Sequence, residues 1–430
     1  MKRFRSALKR RFSDKPTQQR GVPSGQQPLQ SQPPQSPPSQ PPNLEQQPQG
    51  IVPQVDVAGT TANTLQVAFV NRFPAGTQVF ATVSGRALDN GGALVLLQSD
   101  GRSLYFPNSP STTGQPLGAN CAIPLGGPGS TTNIAVPHMA GARIYFSLGT
   151  PLTFLLNPGP ALVEPSVTNP SDPNINLDWA FCEFTFNTDQ LYANISYVDF
   201  VSSISVALNL TTRNSGTLNV GGLIGNGLNQ VCDALRAQHA ADGRGWDQLV
   251  VTSNGRNLRA LSPNLGQVGN PNLFAGYFEP YVDQVWGRYT GSPIEIDTQA
   301  GFGTVSAAVS NGVLNFNGSQ FQRPSTQDIF TCSTGPFATG QNAQTNAIIP
   351  RLAAAFNRST LLKTNASPAP QSLYYQEPVT NHYSRIVHGA NVDGRGYAFP
   401  YDDVQPSGGA DQSGEVHAGD PVLWTVSVGS

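Results

Sequence analysis

The segment DWAFCEFTFNTDQLYANISYVDFVSSISVALNL (178–210) carries two carboxylates sixteen residues apart, Glu183 and Asp199, each set in a run of aromatic and β-branched residues. Within FCEFTFN (181–187), strand alternation puts Cys182, Phe184 and Phe186 on one face, and Phe181, Glu183, Thr185 and Asn187 on the other. The aromatic set belongs in a core. Glu183, Thr185 and Asn187 are therefore expected on an open face, in a row with about 7 Å between successive members. A carboxyl, a hydroxyl and an amide in line suit a sugar chain, offering one ionisable group and neutral hydrogen-bonding neighbours.

After a short polar turn, ISYVDFV (195–201) reads as the next strand, with Ile195, Tyr197, Asp199 and Val201 on a common face. An acid among such neighbours is either functional or paired with a cation. Adjacent antiparallel strands would set Glu183 and Asp199 on opposite walls of one groove. Glycoside hydrolysis needs that arrangement: one carboxylic acid protonates the leaving oxygen, and one carboxylate activates water or attacks carbon. The competing reading makes Glu183 a solvated surface acid and Asp199 a turn or ion-pair residue.

The elements that would position this pair are mostly strands. LQVAFVN (65–71), QVFATVSG (78–85), ALVLLQ (93–98), SLYFP (103–107), ARIYFSL (142–148) and LTFLL (152–156) are bounded by Gly-, Asn- and Pro-rich turns. They predict consecutive antiparallel strands of a sandwich or barrel. Helical periodicity appears later, at 227–241 with Val231, Ala234 and Leu235 inward, and at 345–362 with Ile349, Leu352, Ala353 and Phe356 inward. A third helix is expected to start at Pro280, with Val282, Val285, Trp286 and Tyr289 inward. GYAFPYDD (396–403) and VLWTVSVG (422–429) return to strand character.

Composition narrows the ligand. Of 430 residues only 12% are charged, and the net charge is −2. Residues 1–20 hold eight Lys or Arg against Asp14, which leaves −9 for the remaining 410. A mildly acidic body has no basic stripe to track a phosphate backbone, so nucleic acid is excluded as partner and a neutral polymer fits better. Within the basic head, Phe4, Leu8 and Phe12 recur every four residues. They could form a short amphipathic helix touching an anionic membrane or an acidic partner, against the plainer alternative of a solvated tail. Residues 16–50 are a Gln/Pro/Ser tract expected to be a disordered linker. No apolar run is of transmembrane length and no secretory h-region is visible. Cys121, Cys182, Cys232 and Cys332 show no metal-binding spacing, so no metal or cofactor is expected; they are either one or two disulfides or buried free thiols.

The motif W-x-F-C-E-F-T-F-N, followed by V-D-F-V sixteen residues after its Glu, resembles glycoside hydrolase family 64. ALVLLQSDGRSLYFP, FEPYVDQVWGRY, STQDIFTCSTGPF, IIPRLAAAFNRSTLL, NHYSRIVH and DGRGYAFPYDDV extend the resemblance over about residues 60–430, in the manner of the family's fungal-type members. It implies a mainly β protein: a thaumatin-like barrel or sandwich domain beside a mixed α/β domain, with a wide groove between them. On that basis residues 1–55 form the head, 56–210 with 380–430 the barrel domain and 211–379 the mixed domain. It further implies endo-acting, inverting hydrolysis of β-1,3-glucan to laminari-oligosaccharides; separately, a monomer is expected. Glu183 would be the general acid and Asp199 the general base, with Thr185 and Asn187 contacting sugar. A non-catalytic, thaumatin-like glucan-binding protein is the alternative. Compartment stays open: the family suggests extracellular or cell-wall action, and the cytoplasm is compatible with the sequence.

Among the aromatics that could stack on glucose (Trp179, Tyr192, Tyr197, Trp246 and Trp286), Tyr192 is the best platform, in the turn after the Glu183 strand; Trp286 is expected in the core. His382 and His388 flank Ser384, but no G-x-S-x-G elbow accompanies them, so structural roles are expected. NVDGRG (391–396) reads as a turn rather than a calcium loop.

Overall fold

The computed structural model describes residues 63–429. The basic head, its Phe4/Leu8/Phe12 stripe and the Gln/Pro tract lie outside the described residues.

The chain is mainly β, and two sheets face one another. The first has eight strands, seven of them along one path. In spatial order they are Glu415–Ala418, Leu191–Ile195, Trp179–Phe186, Met139–Leu148, Val79–Ala87, Ala93–Leu97 and Leu104–Tyr105, with Ile123–Pro124 joining beside Val79–Ala87. The second runs Thr217–Val220, Val206–Thr212, Pro421–Val428, Thr64–Asn71 and Thr131–Pro137. Alternation along each strand supplies the layer between them. Val83, Ile144, Cys182 and Ile195 lie opposite one another across four strands, as do Phe184, Ala193 and Val416 across three. All are buried, and the rings of Phe184 and Trp424 (5.2 Å) and of Phe69 and Phe146 (5.3 Å) bridge the sheets. Cys182, Phe184 and Phe186 thus occupy the core side expected of them.

Strand order departs from a simple antiparallel series. Thr64–Asn71 pairs in parallel with Pro421–Val428, from Gln66↔Leu423 to Asn71↔Val428, so the last strand sits inside its sheet between the first strand and Val206–Thr212. GYAFPYDD is no strand either; only Tyr397 makes an isolated bridge, to Ser196. The physical reason is local. Pro400 removes a donor, the amides of Asp402 and Val404 close turns onto the carbonyls of Phe399 and Tyr401, and the Arg358 guanidinium takes the carbonyls of Asp402 and Val404, so beyond Tyr397 this backbone is satisfied by turns and a side chain.

The three expected helices span Gly227–Asp242, Glu279–Gly291 and Ala343–Asn357. Their expected inward residues are buried, except Ala234, which is half-buried. Pro263–Gly269, Thr326–Thr331 and His382–Gly389 are helices without an apolar period long enough to announce them. All four cysteines are buried free thiols. Burial pushes the thiol of Cys121 up to about 11 and that of Cys232 to about 12, so both stay protonated and inert.

Candidate functional site

Across the outer face of the larger sheet, strand register sets Ser84, Arg143, Glu183, Asn194 and Glu415 directly opposite one another. Residues opposed in this way project from the same face, so five strands contribute one polar row. One step along, Thr185 lies opposite Tyr192 and Tyr192 opposite His417, giving a second row. In the other direction, Phe181 opposes Tyr145. The sequence reading made Glu183, Thr185 and Asn187 an open face. The structure keeps Glu183 and Thr185 on one face but buries them, at 6% and 3% exposed, and Asn187 lies past the end of that strand. A second apolar cluster explains the difference: Leu152, Phe154, Val167, Trp179, Phe181, Phe200 and Leu265 roof one end of this face.

Glu183 is held by a cation. Arg143, its cross-strand neighbour, donates Nε–H to Glu183 Oε1 at 3.0 Å and Nη1–H to Glu164 Oε2 at 3.0 Å. Its guanidinium also stacks on the Phe181 ring, 4.6 Å from the centroid. Burial alone disfavours the Arg143 charge, but Tyr145, Glu164, Glu183 and Asp199 more than offset this and hold it well above the ordinary arginine range. Asp199 therefore lies within electrostatic reach of the group that binds Glu183.

Asp199 does not sit in a strand. The strand ends at Ile195, and a new one, Phe200–Ser202, begins in a different sheet against Arg259–Leu261. Residues 197–199 form the crossing, and Asp199 occupies its bend. The crossing is fixed from several sides. Tyr383 donates its hydroxyl to the Tyr197 carbonyl (2.7 Å), and the Ser262 amide donates to the Asp199 carbonyl (2.9 Å). Phe200 packs edge-on against Trp179 at 4.7 Å. Gly396 lies so close to the Tyr197 ring that a Cβ there would come within 2.6 Å of it, so only glycine fits.

Thr185 Oγ1 accepts from the Gly141 amide at 3.3 Å. Asn187 shapes the hairpin: its Oδ1 accepts from the amides of Asp189 and Gln190 at 3.0 and 2.9 Å, an Asx turn. Tyr192 stands on the strand, not in the turn as the sequence reading had it, with its ring 6.3 Å from that of His417. Trp179, Tyr197, Trp246 and Trp286 are all buried side chains of the core. His382 and His388 are structural. His382 Nε2–H donates to the Pro378 carbonyl while Nδ1 accepts from Arg385 Nε, and His388 contacts Asp402.

Arg143, Glu164 and His417 were not singled out from the sequence. Arg143 left a signal: a lone cation inside the apolar run ARIYFSL must be paired when that strand is buried. Glu164 and His417 left none, because only sheet register brings them to the site.

Three comparisons bear on this face. A curated glucan endo-1,3-beta-glucosidase of Cellulosimicrobium cellulans is 31% identical over 305 residues, covering 68% of this chain. The chain spans about half (52%) of the length of that relative. A crystal structure of a laminaripentaose-producing beta-1,3-glucanase in complex with laminaritetraose superposes with a TM-score of 0.76 at 32% identity, over 85% of this chain and 99% of that one. A beta-1,3-glucanase domain from Clostridium beijerinckii shares the fold, with a TM-score of 0.66 at 21% identity over 86% of this chain and 99% of that one. These relatives lend no support to a fungal-type assignment. The family model for glycoside hydrolase 64, beta-1,3-glucanase, matches residues 63–428, and with it the strand that carries Glu183 and the crossing that carries Asp199: the chain belongs to that family.

Proposed function

We propose that this chain is an endo-acting β-1,3-glucanase that hydrolyses its substrate with inversion and releases short laminari-oligosaccharides. Glu183 acts as general acid on the glycosidic oxygen, and Asp199 acts as general base on the attacking water. Thr185, Asn187 and Tyr192 contact the sugars. The observation that carries the reading is the buried ion pair of Glu183 with Arg143, on a guanidinium that also feels the charge of Asp199, in a chain of this family. Two carboxylates on independently anchored backbone can be held at the spacing that admits a water, about 6.5–9.5 Å for an inverting enzyme.

The chemistry asks each acid for a different protonation state. Glu183 must begin protonated and end as a carboxylate, which the Arg143 contact then stabilises. Asp199 must begin ionised, and its fixed main chain keeps it aimed while it accepts a proton. The row of hydrogen-bonding groups beside them suits the hydroxyls of a neutral glucan.

Incubation with laminarin or curdlan tests the reading, with Glu183→Gln and Asp199→Asn alongside. Wild type is expected to release oligosaccharides as the α anomer, and each variant to lose about three orders of magnitude or more in kcat. Release of a β anomer rejects inversion. Full activity in both variants rejects the assignment in favour of other residues, and glucan binding without release by wild type favours the non-catalytic alternative.

A further inference from the structure

We infer that Arg143 and Glu164 are positioning residues that set the protonation of Glu183, with Glu164 drawing off part of the guanidinium's hold so that Glu183 can carry its proton at rest. The inference rests on the general-acid role proposed for Glu183.

The geometry supplies the argument. Arg143 is clamped by three partners at once: Glu183 on Nε, Glu164 on Nη1 and the Phe181 ring on its face. Its side chain is 10% exposed and that of Glu183 7%, so solvent screens their attraction weakly. An undivided guanidinium at 3.0 Å favours a carboxylate, which is the wrong resting form for an acid. Glu164 comes from outside this sheet, just beyond the short strand Ala161–Val163, and ends on the same cation. Its side chain is 28% exposed against 7% for Glu183, so water reaches the Glu164 carboxyl more readily. One cation thus answers several acids, and the group that carries a proton in that cluster is the one the reaction deprotonates. As Glu183 releases its proton to the leaving oxygen, the developing carboxylate meets a guanidinium already in place, so the contact strengthens in the transition state.

Other charged or titratable groups also surround Glu183. Tyr145 lies on the Arg143 strand, and Cys182 on its own strand responds to the Glu183 charge. Asp199 approaches from the crossing, and Glu415 lies two strands away beyond Asn194. The Arg143 guanidinium holds Glu183 at 3.0 Å and Glu164 at the same distance, so its division between two acids bears directly on the Glu183 proton.

The test is the pH profile of kcat/KM on laminarin, whose basic limb reports the general acid of the free enzyme. Glu164→Gln leaves the Arg143 charge undivided on Glu183 and is expected to move that limb down by about one pH unit. Arg143→Met is expected to move it up by a similar amount. Arg143→Lys keeps the charge but loses the two-way fork, and is expected to lower kcat about tenfold or more, with KM within about twofold and the limb near its wild-type place. A packing role alone would not shift the limb in opposite directions. Should Arg143→Met fail to fold, Glu164→Gln and Arg143→Lys decide. A basic limb unmoved or raised in Glu164→Gln overturns the inference while leaving the hydrolase reading intact. An inactive wild type, or a full-activity profile with the same basic limb in Glu183→Gln, overturns the acid assignment and this inference with it.

Discussion

The hydroxyl of Tyr383 donates to the main-chain carbonyl of Tyr197 at 2.7 Å, two residues before Asp199, so a buried helix holds the crossing on which that acid sits. Tyr383→Phe removes the bond and keeps the ring. Unfolding stability is expected to fall by about 1 kcal/mol. kcat on laminarin is expected to drop about tenfold through misplacement of Asp199, with KM little changed. Parallel measurement of urea unfolding and kinetics checks this; unchanged kcat would separate Tyr383 from the site.

Tyr192 faces Thr185 on one strand and His417 on the other. If its ring meets a glucose unit, Tyr192→Ala raises KM about tenfold while kcat stays within about threefold. Steady-state kinetics with laminarin read the effect. A fall in thermal stability with no change in KM would instead make Tyr192 a packing residue.

Acid sensitivity should trace in part to His382. Burial, chiefly, brings its pKa down to about 4, and its Nδ1 is occupied by the Arg385 donor. The unfolded chain protonates this histidine near its ordinary value, so the unfolded state binds more protons between that value and about 4. The neutral ring therefore contributes stability above about pH 6.5 that is lost as pH falls toward 4. His382→Gln should be less stable than wild type at pH 7 and close much of that gap at pH 4.5, as seen by urea unfolding at the two values.

Asp402 is fully buried and takes Arg358 on one oxygen and the Ala398 amide on the other, with His388 at 3.0 Å. Asp402→Ala strands a buried guanidinium, and a loss of about 3–5 kcal/mol is expected in denaturant unfolding. Because Arg358 also binds the carbonyls that keep residues 402–404 out of strand geometry, the loss should be cooperative, with a single transition at lower denaturant.

Much of the scaffold was legible in the sequence because alternation and helical period are local signals. Cys182, Phe184 and Phe186 face the core as their spacing requires, and so do Val282, Val285, Trp286 and Tyr289 on their helix. What was not legible depended on partners distant in sequence. ISYVDFV has the composition of one strand, yet the chain changes sheets at Tyr197–Asp199, because Phe200–Ser202 finds Arg259–Leu261 as its neighbour. The open face assigned to Glu183 is roofed by residues from 152–200 and 265, whose docking no alternation pattern encodes. GYAFPYDD looks like a strand until its turns are seen, with Arg358 on the Asp402 carbonyl. Arg143 was readable only as an anomaly, a charge where the pattern wanted an apolar residue. Sequons illustrate the same limit: Asn194 and Asn357 fit the acceptor motif but are wholly buried, so neither can be glycosylated once folded.

The parallel pairing of Thr64–Asn71 with Pro421–Val428 also constrains how the molecule comes into being. Those partners stand more than 350 residues apart, and the later strand is an interior member of its sheet. A ribosome must therefore finish residue 428 before the sheet behind Glu183 can close. Until then Val67, Phe69 and Phe184 face a gap where Trp424 and Val426 belong, a strand edge that would attract other chains. Closure of such a high-contact-order sandwich is expected to be slow and to wait until the strand Pro421–Val428 has been made. The face that carries Glu183 would then gain its backing in one step, with the insertion of Pro421–Val428.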